Sequence, residues 1–400
     1  MKILLLTDMP PCTNYTAGIF LNHLVNMIPD DQVVCYSVLN SELKPEIPVE
    51  IRIPIKIVEK PKENWGFYPK IGTIVSFLME TFTDLVYIPS LSRDIVDFAR
   101  LHRVDAVWCI LEGQTMIRLA RKVARLARLP LYTHIWDTPG WWMRGWKVNP
   151  ITSRKVIAEY EKAISQSVAC GVASWAMKEE YEKAFGVKCI PLVAGLEKSM
   201  AIKPSPKPNF KNGEVHIGLA GQIYARDTWD AFMAALDSIN WRINGRQVKV
   251  KVLGQWMDPA LQRPSIEFLG WYSQEEAIGI LSQMDILYAP YWFDNAFELE
   301  ARYSFPSKIT TYLAAGRPVF FHGPEYSSPG RFLEKYNAGI CCYSNHASDI
   351  VNQIIQVLGN EDQYRMSAFN GHLAFIEKLT FDSLKSNLYN FLPINVRNNE

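Results

Sequence analysis

The chain has 400 residues, 48% of them hydrophobic, with 42 Lys+Arg against 41 Asp+Glu. This composition excludes a disordered or fibrous chain and leaves room for two or three domain-sized units. A net charge of +1 lacks the clustered positive excess of a nucleic-acid binder, so no nucleic-acid partner is expected.

The apolar run after Met1 is only four residues long before Thr7 and Asp8, too short for a signal-peptide core. No later segment has 18 uninterrupted apolar residues, so no membrane span is expected. The seven cysteines (Cys12, Cys35, Cys109, Cys170, Cys189, Cys341, Cys342) form no C-x-x-C pair and no cluster with zinc spacing. A reducing, cytoplasmic setting follows from this usage, and no metal site is expected.

In chain order, residues 2–7 read as a buried parallel strand followed by a Pro/Thr/Asn/Gly loop and a helix over 19–27. This β-loop-α opening is typical of doubly wound sheets. Short apolar runs at 33–38, 51–55, 106–111, 131–135, 168–173 and 189–193 predict further strands, with helical patterns between several of them. Residues 114–129 (QTMIRLARKVARLARL) form an amphipathic helix with five basic residues and no acidic one. Such a helix suits either a solvated outer face or peripheral contact with an anionic membrane. Periodicity stops between 198 and 213, and residues 201–213 are expected to be a linker. The β-loop-α opening then recurs in EVHIGLAGQIY and TWDAFMAALDSI, and strands are expected at 248–253, 266–269, 286–289 and 318–321.

Sites on such sheets lie beyond the carboxyl ends of strands, and four loops there carry candidate chemistry. Ser307 and Lys308 open a helix that ends near Gly316 and Pro318, with Ser307 able to cap it. A helix start with a lysine in its first turn suits a diphosphate. Gly221 and Gln222 follow the first strand of the second half, and Arg226 could grip phosphate oxygens there or pair with Asp227 or Asp230. Gly18 could admit a ligand close to the backbone or simply open a helix. His134 and Asp137 end a strand beside Trp136, Trp141, Trp142 and Trp146, rings suited to sugar stacking or to packing.

The run FPSKITTYLAAGRPVFF resembles the PSK…YLAAGKPV segment of GT-B glycosyltransferases, especially retaining enzymes of the family 4 type. VKVLGQW and IEFLGWYSQEEAIGILSQMDILYAPY resemble other landmarks of that family in order. The resemblance implies a GT-B-like α/β fold of two Rossmann-like doubly wound domains facing each other across a cleft. It implies an acceptor domain over 1–200, a nucleotide-sugar domain over 214–375, and helices over 376–400 packing back on the first domain. The implied reaction transfers a sugar, with retention and without a metal, from a nucleotide-sugar co-substrate to a glycan, lipid-linked or small-molecule acceptor. Gly18, Gly221, Gln222, Arg226, Trp271, Tyr272, Ser307, Lys308 and Thr311 would hold the donor, and His134 with Asp137 would act at the transferred sugar or acceptor.

The sequence departs from the family in one respect. Two glutamates that many members carry are replaced by Tyr303 and Thr311, so the ribose contact loses a carboxylate. Glu298 and Glu300, just upstream, either take over part of that role or are solvated loop residues. The substitution leaves open a non-catalytic module of the same fold, and a nucleotide-sugar epimerase is a further alternative.

Overall fold

The computed structural model describes residues 1–63, 72–255 and 263–394. The chain forms two compact units, one of Met1–Leu192 with the stretch from Lys385 onward, the other of Val193–Leu384. Trp256, which closes the VKVLGQW run, and residues 395–400 of the expected C-terminal helices lie outside the described residues.

Unit 1 holds β1 (Ile3–Thr7), α1 (Thr16–Asn26), β2 (Val33–Leu39), β3 (Ile55–Glu59), α2 (Gly72–Phe82), α3 (Ile88–Leu101), β4 (Ala106–Ile110), α4 (Gly113–Ala127), β5 (Leu131–His134), α5 (Pro139–Gly145), α6 (Pro150–Ser165), β6 (Ala169–Val172), α7 (Trp175–Phe185) and β7 (Cys189–Pro191). Its strands pair in parallel in the order β3-β2-β1-β4-β5-β6-β7. All five side chains of β1 and all seven of β2 are buried. This is why these strands read as continuous apolar runs, since helices cover both faces of a parallel sheet. The strand expected at 51–55 lies instead at Ile55–Glu59. Proline has no N–H for the ladder, so Pro54 contributes only its carbonyl, which accepts from Cys35 N–H at 2.9 Å, and the strand proper begins at Ile55.

Unit 2 holds β8 (Val215–Ala220), α8 (Arg226–Ser238), β9 (Arg242–Ile243), β10 (Arg246–Leu253), β11 (Ile266–Gly270), α9 (Gln274–Leu281), β12 (Ile286–Pro290), α10 (Glu298–Tyr303), α11 (Ser307–Ala314), β13 (Val319–His322), α12 (Ser328–Lys335), β14 (Gly339–Cys342), α13 (Ala347–Gly359) and α14 (Glu361–Lys378); α15 (Phe381–Phe391) follows. Six strands run parallel in the order β11-β10-β8-β12-β13-β14, with β9 antiparallel on β10. Its core stacks Phe232 on Tyr288, ring centroids 3.9 Å apart, with Trp229 and Phe320 alongside. Each unit is therefore a doubly wound α/β sheet.

Residues 201–213 are not a free linker. Ile202 N–H donates to the Ala314 carbonyl, Ser205 N–H to Gly316, and Arg317 Nη1 to the Lys207 carbonyl. Asp285 accepts from the backbone of Asn209 and Phe210 at 2.7 and 2.9 Å. The prolines remove helical periodicity, yet the remaining backbone groups find partners and strap the segment to unit 2. From Lys385 onward α15 packs within unit 1, where Asn387 donates to the Pro191 carbonyl and Tyr389 to Met27.

Candidate functional site

In unit 2, β8, β10 and β11 end side by side in glycines. Gly221 (φ +82°) donates its N–H to the Leu253 carbonyl, and Gly254 donates to the Gly270 carbonyl. A Cβ on Gly254 would lie 3.6 Å from the Gly221 carbonyl oxygen, so the strand ends form a low floor of backbone. Lys308 lies beside this floor. Its Nζ donates to the Gln222 carbonyl at 3.1 Å and sits 4.5 Å from the centre of the Tyr224 ring, and its Cε is 3.9 Å from where a Gly221 Cβ would stand.

Burial pushes the Lys308 pKa down to about 7, because no carboxylate offsets the lost solvation. The helix behind it, α11, begins at Ser307. Pro306 holds the cap position, and no side chain caps the helix. Ser307 is thus the first helical residue rather than the cap expected for it. The first N–H groups of the helix thus have no side-chain cap, and a desolvated cation stands beside them, an arrangement complementary to a diphosphate.

The other expected donor residues are less uniform. Tyr312, unremarked in the sequence, binds the end of β8 through a hydrogen bond of 2.7 Å from Ala220 N–H and so ties α11 to the glycine floor. The Thr311 hydroxyl accepts from Gln274 Nε2 at 2.9 Å and donates back to the Ser307 carbonyl, which leaves one lone pair for a ribose hydroxyl. That bond brings the loop bearing Trp271 and Tyr272 beside α11, and Trp271 is 67% exposed. Arg226 is the first residue of α8 and pairs through Nε with Asp230 at 3.0 Å. This is the alternative partner expected for it, and an exposed pair of this kind exchanges for a phosphate at little cost. Glu298 pairs with Arg302 at 2.8 Å, and Glu300 is buried in α10 rather than solvated in a loop.

In unit 1 the strand order reverses between β1 and β4, the switch point at which ligands bind in such sheets. Asp8 follows β1 and Glu112 follows β4. Lys60, directly after β3, reaches Asp8 at 3.7 Å and Glu63 at 2.9 Å, and a Cβ on Gly113 (φ +75°) would come within 2.8 Å of its Nζ. Glu63 in turn accepts the Thr115 N–H at 2.6 Å in the first turn of α4.

Burial disfavours the Lys60 ammonium, but Glu63 and Asp8 outweigh it and raise its pKa. Burial raises the Asp8 carboxyl, with Glu63 adding and Lys60 opposing. Glu112 is pushed well above the usual carboxylate range by burial, then by Asp8 and Asp137. A carboxyl raised in this way holds its proton to higher pH, and in its protonated form it donates a hydrogen bond as well as accepting one. Asp8, Lys60, Glu63 and Glu112 were missed in the sequence, although Asp8 and Glu112 each directly follow an expected strand.

Asp137 joins this cluster, but His134 does not act with it. The His134 ring has no exposed surface and stands among Phe20, Trp108, Trp136 and Phe391. Its Nε2 accepts from Trp136 Nε1 at 3.2 Å, its Nδ1 has no partner, and burial drives its pKa down to about 3. A side chain so enclosed is a neutral core histidine, and its tautomer is set by Trp136 rather than Asp137. Gly18 is likewise a packing residue. A Cβ there would lie 2.1 Å from Cys12 Sγ and 3.0 Å from the Pro10 carbonyl, so the loop's own atoms fill the space a ligand would need.

The tryptophan cluster divides. Trp142 is buried against Trp146, at a centroid distance of 5.4 Å, and Trp141 is 46% exposed. The basic helix, α4, buries ten residues, among them Arg118, which bonds Glu80 at 2.7 Å and Asp84 at 3.2 Å. Its apolar face packs in the domain core, while Arg125 and Arg128 stay exposed.

No protein-family model and no curated protein matches the chain. Solved structures do. HepE of Anabaena, crystallised with UDP, superposes with a TM-score of 0.65 at 13% identity, covering 98% of this chain and 99% of that one. Sucrose-phosphate synthase of Thermosynechococcus elongatus gives 0.65 at 11%, covering 98% of each. The fold is that of the GT-B glycosyltransferases. The trehalose-6-phosphate synthase of Burkholderia multivorans shares it too, with a TM-score of 0.64 at 10% identity over 97% of this chain and 98% of the other.

Proposed function

We propose that the protein is a glycosyltransferase that moves a sugar from a uridine-diphosphate sugar to an acceptor hydroxyl, with retention and without a metal ion. The observation that carries this reading is Lys308, half desolvated at an uncapped helix start beside the backbone floor of Gly221, Gly254 and Gly270. Uridine is the base chosen because HepE, of the same fold, was crystallised with UDP and with UDP-glucose.

In this mechanism Lys308 and the N–H groups opening α11 stabilise the charge that develops on the leaving diphosphate. Arg226 trades Asp230 for a phosphate oxygen, and Trp271 or Tyr272 lies against the base. The acceptor is assigned to the switch point of unit 1, where Asp8, Glu112 and Asp137 offer hydrogen bonds to sugar or lipid-linked hydroxyls. Seven free thiols support a reducing, cytoplasmic setting.

Turnover of UDP-glucose and related UDP-sugars against an acceptor panel, read as UDP release, tests the proposal. Lys308→Ala should lower turnover on the order of 10²-fold or more. Unchanged turnover would refute the assigned role. A second reading, a nucleotide-binding module without catalysis, is favoured by the enclosed His134 and by Thr311 in place of a carboxylate. It predicts UDP binding with no sugar release from any UDP-sugar.

A further inference from the structure

The helix formed by α2, a π-helical turn over Thr83–Tyr87, and α3 is continuous, and over Ile74–Leu101 it is long and apolar enough to cross a membrane. Its side chains show that it lies along unit 1 instead. One face carries Ser76, Glu80 and Thr83, all buried. Glu80 and Asp84 bind Arg118 of α4, and Ser76 accepts from Asn149 at 3.0 Å. The opposite face is solvent-exposed: Ile74 is 65% exposed, Leu78 60% and Leu85 72%, and Phe77, Phe82 and Val86 are exposed as well. Spacings of three and four residues put Ile74, Phe77, Leu78 and Leu85 on one side. An apolar stripe of this extent has a ligand of its own kind.

Leu85 also lines a groove of about 820 Å³ on the same unit, where basic side chains stand among apolar ones such as Ile88, Leu129 and Val168. Arg118, Arg121, Lys122, Arg125, Arg128 and Lys155 line it against only Asp84 and Glu159. Arg118, Arg121 and Lys155 are paired with carboxylates, whereas Arg125 and Arg128 form no ion pair among the described residues and are exposed. An apolar stripe running into a cationic groove matches the two layers of an anionic bilayer surface, acyl chains beneath phosphates.

We propose that this face of unit 1 docks on anionic lipid bilayers, with Ile74, Leu78 and Leu85 in the acyl boundary and the Arg125–Arg128 edge on lipid phosphates. The inference is independent of the glycosyltransferase reading, because it uses no residue of the donor or acceptor sites.

Flotation of the full chain with vesicles tests it, using phosphatidylcholine alone and a two-to-one mixture with phosphatidylglycerol. The protein should float with the mixed vesicles only, and less as salt rises. Leu78→Glu with Leu85→Glu should abolish flotation with no loss of Tm, since both side chains already face water. Leu78→Ser with Leu85→Ser gives the same readout should the first pair fold poorly. Arg125→Glu with Arg128→Glu should weaken binding by at least about fivefold per charge. No flotation at low salt, or flotation equal in all variants, overturns the proposal. So does a soluble dimer, seen by sedimentation, that the leucine variants dissociate, because the stripe would then be covered by a second copy.

Discussion

At the scale of single residues, Lys308 and Gly18 show how one residue type can be read in two ways. A lysine in the first turn of a helix is mildly unfavourable to that helix, and desolvation makes Lys308 more so. Its pKa of about 7 means that the folded state disfavours the ammonium, an arrangement that a bound dianion would relieve. Gly18 has the opposite character, since its missing Cβ serves only the contact with Cys12 and Pro10. Gly18→Ala should destabilise unit 1 by about 1–3 kcal/mol, the usual cost of overpacking, with UDP affinity unchanged. Urea denaturation and calorimetric titration of the same preparation check both halves of that expectation.

At the scale of elements, most of the secondary structure was legible because parallel strands buried on both faces leave continuous apolar runs. The helix over 114–129 and the strands at 106–111 and 286–289 lie within two residues of α4, β4 and β12. What was illegible depended on long-range partners. The strap over 201–213 has no periodicity of its own and is ordered by hydrogen bonds to α11 and Asp285. The burial of His134 depends on Phe391, more than 250 positions away in the chain. Lys60 and Glu63 gain meaning only when β3 is placed two strands from β1. The uncapped start of α11 is the element most directly open to test. Ser307→Asp adds a negative charge at the helix N-terminus and should stabilise unit 2 by a few tenths to about 1 kcal/mol, while weakening UDP binding by like-charge repulsion. A variant that is both more stable and tighter for UDP would place the diphosphate elsewhere.

At the scale of the whole molecule, the two units should respond differently to acid. In unit 2, burial lowers His322 to about 4 and Lys308 to about 7. The unfolded chain therefore binds more protons than the native one, between about 4 and 6.5 for His322 and between about 7 and 10.5 for Lys308. Stability present at high pH is lost as pH falls through these windows, by up to about 1.4 kcal/mol per pH unit for one fully buried group. In unit 1 the raised carboxyls of Asp8, Glu80 and Glu112 act with the opposite sign and offset the depressed His134. Proteolysis in urea at pH 7.5 and 5.5, with peptides assigned to each unit, should show unit 2 losing more stability on acidification. A greater loss in unit 1 would contradict this.

The central claim is that Lys308 meets a diphosphate, and calorimetric titration of UDP across pH, in buffers of different ionisation enthalpy, tests it most directly. A lysine near half protonation at pH 7 must gain a proton when a dianion binds, so the wild-type protein should take up about half a proton there. UDP affinity should then fall as pH rises from 7 to 9, by at most tenfold per unit. Lys308→Met should bind UDP about 10²-fold more weakly and take up no proton by this route. Its apo form should melt at a higher temperature, since a desolvated ammonium is gone. UDP binding of equal strength and equal proton uptake in the two proteins would contradict the account.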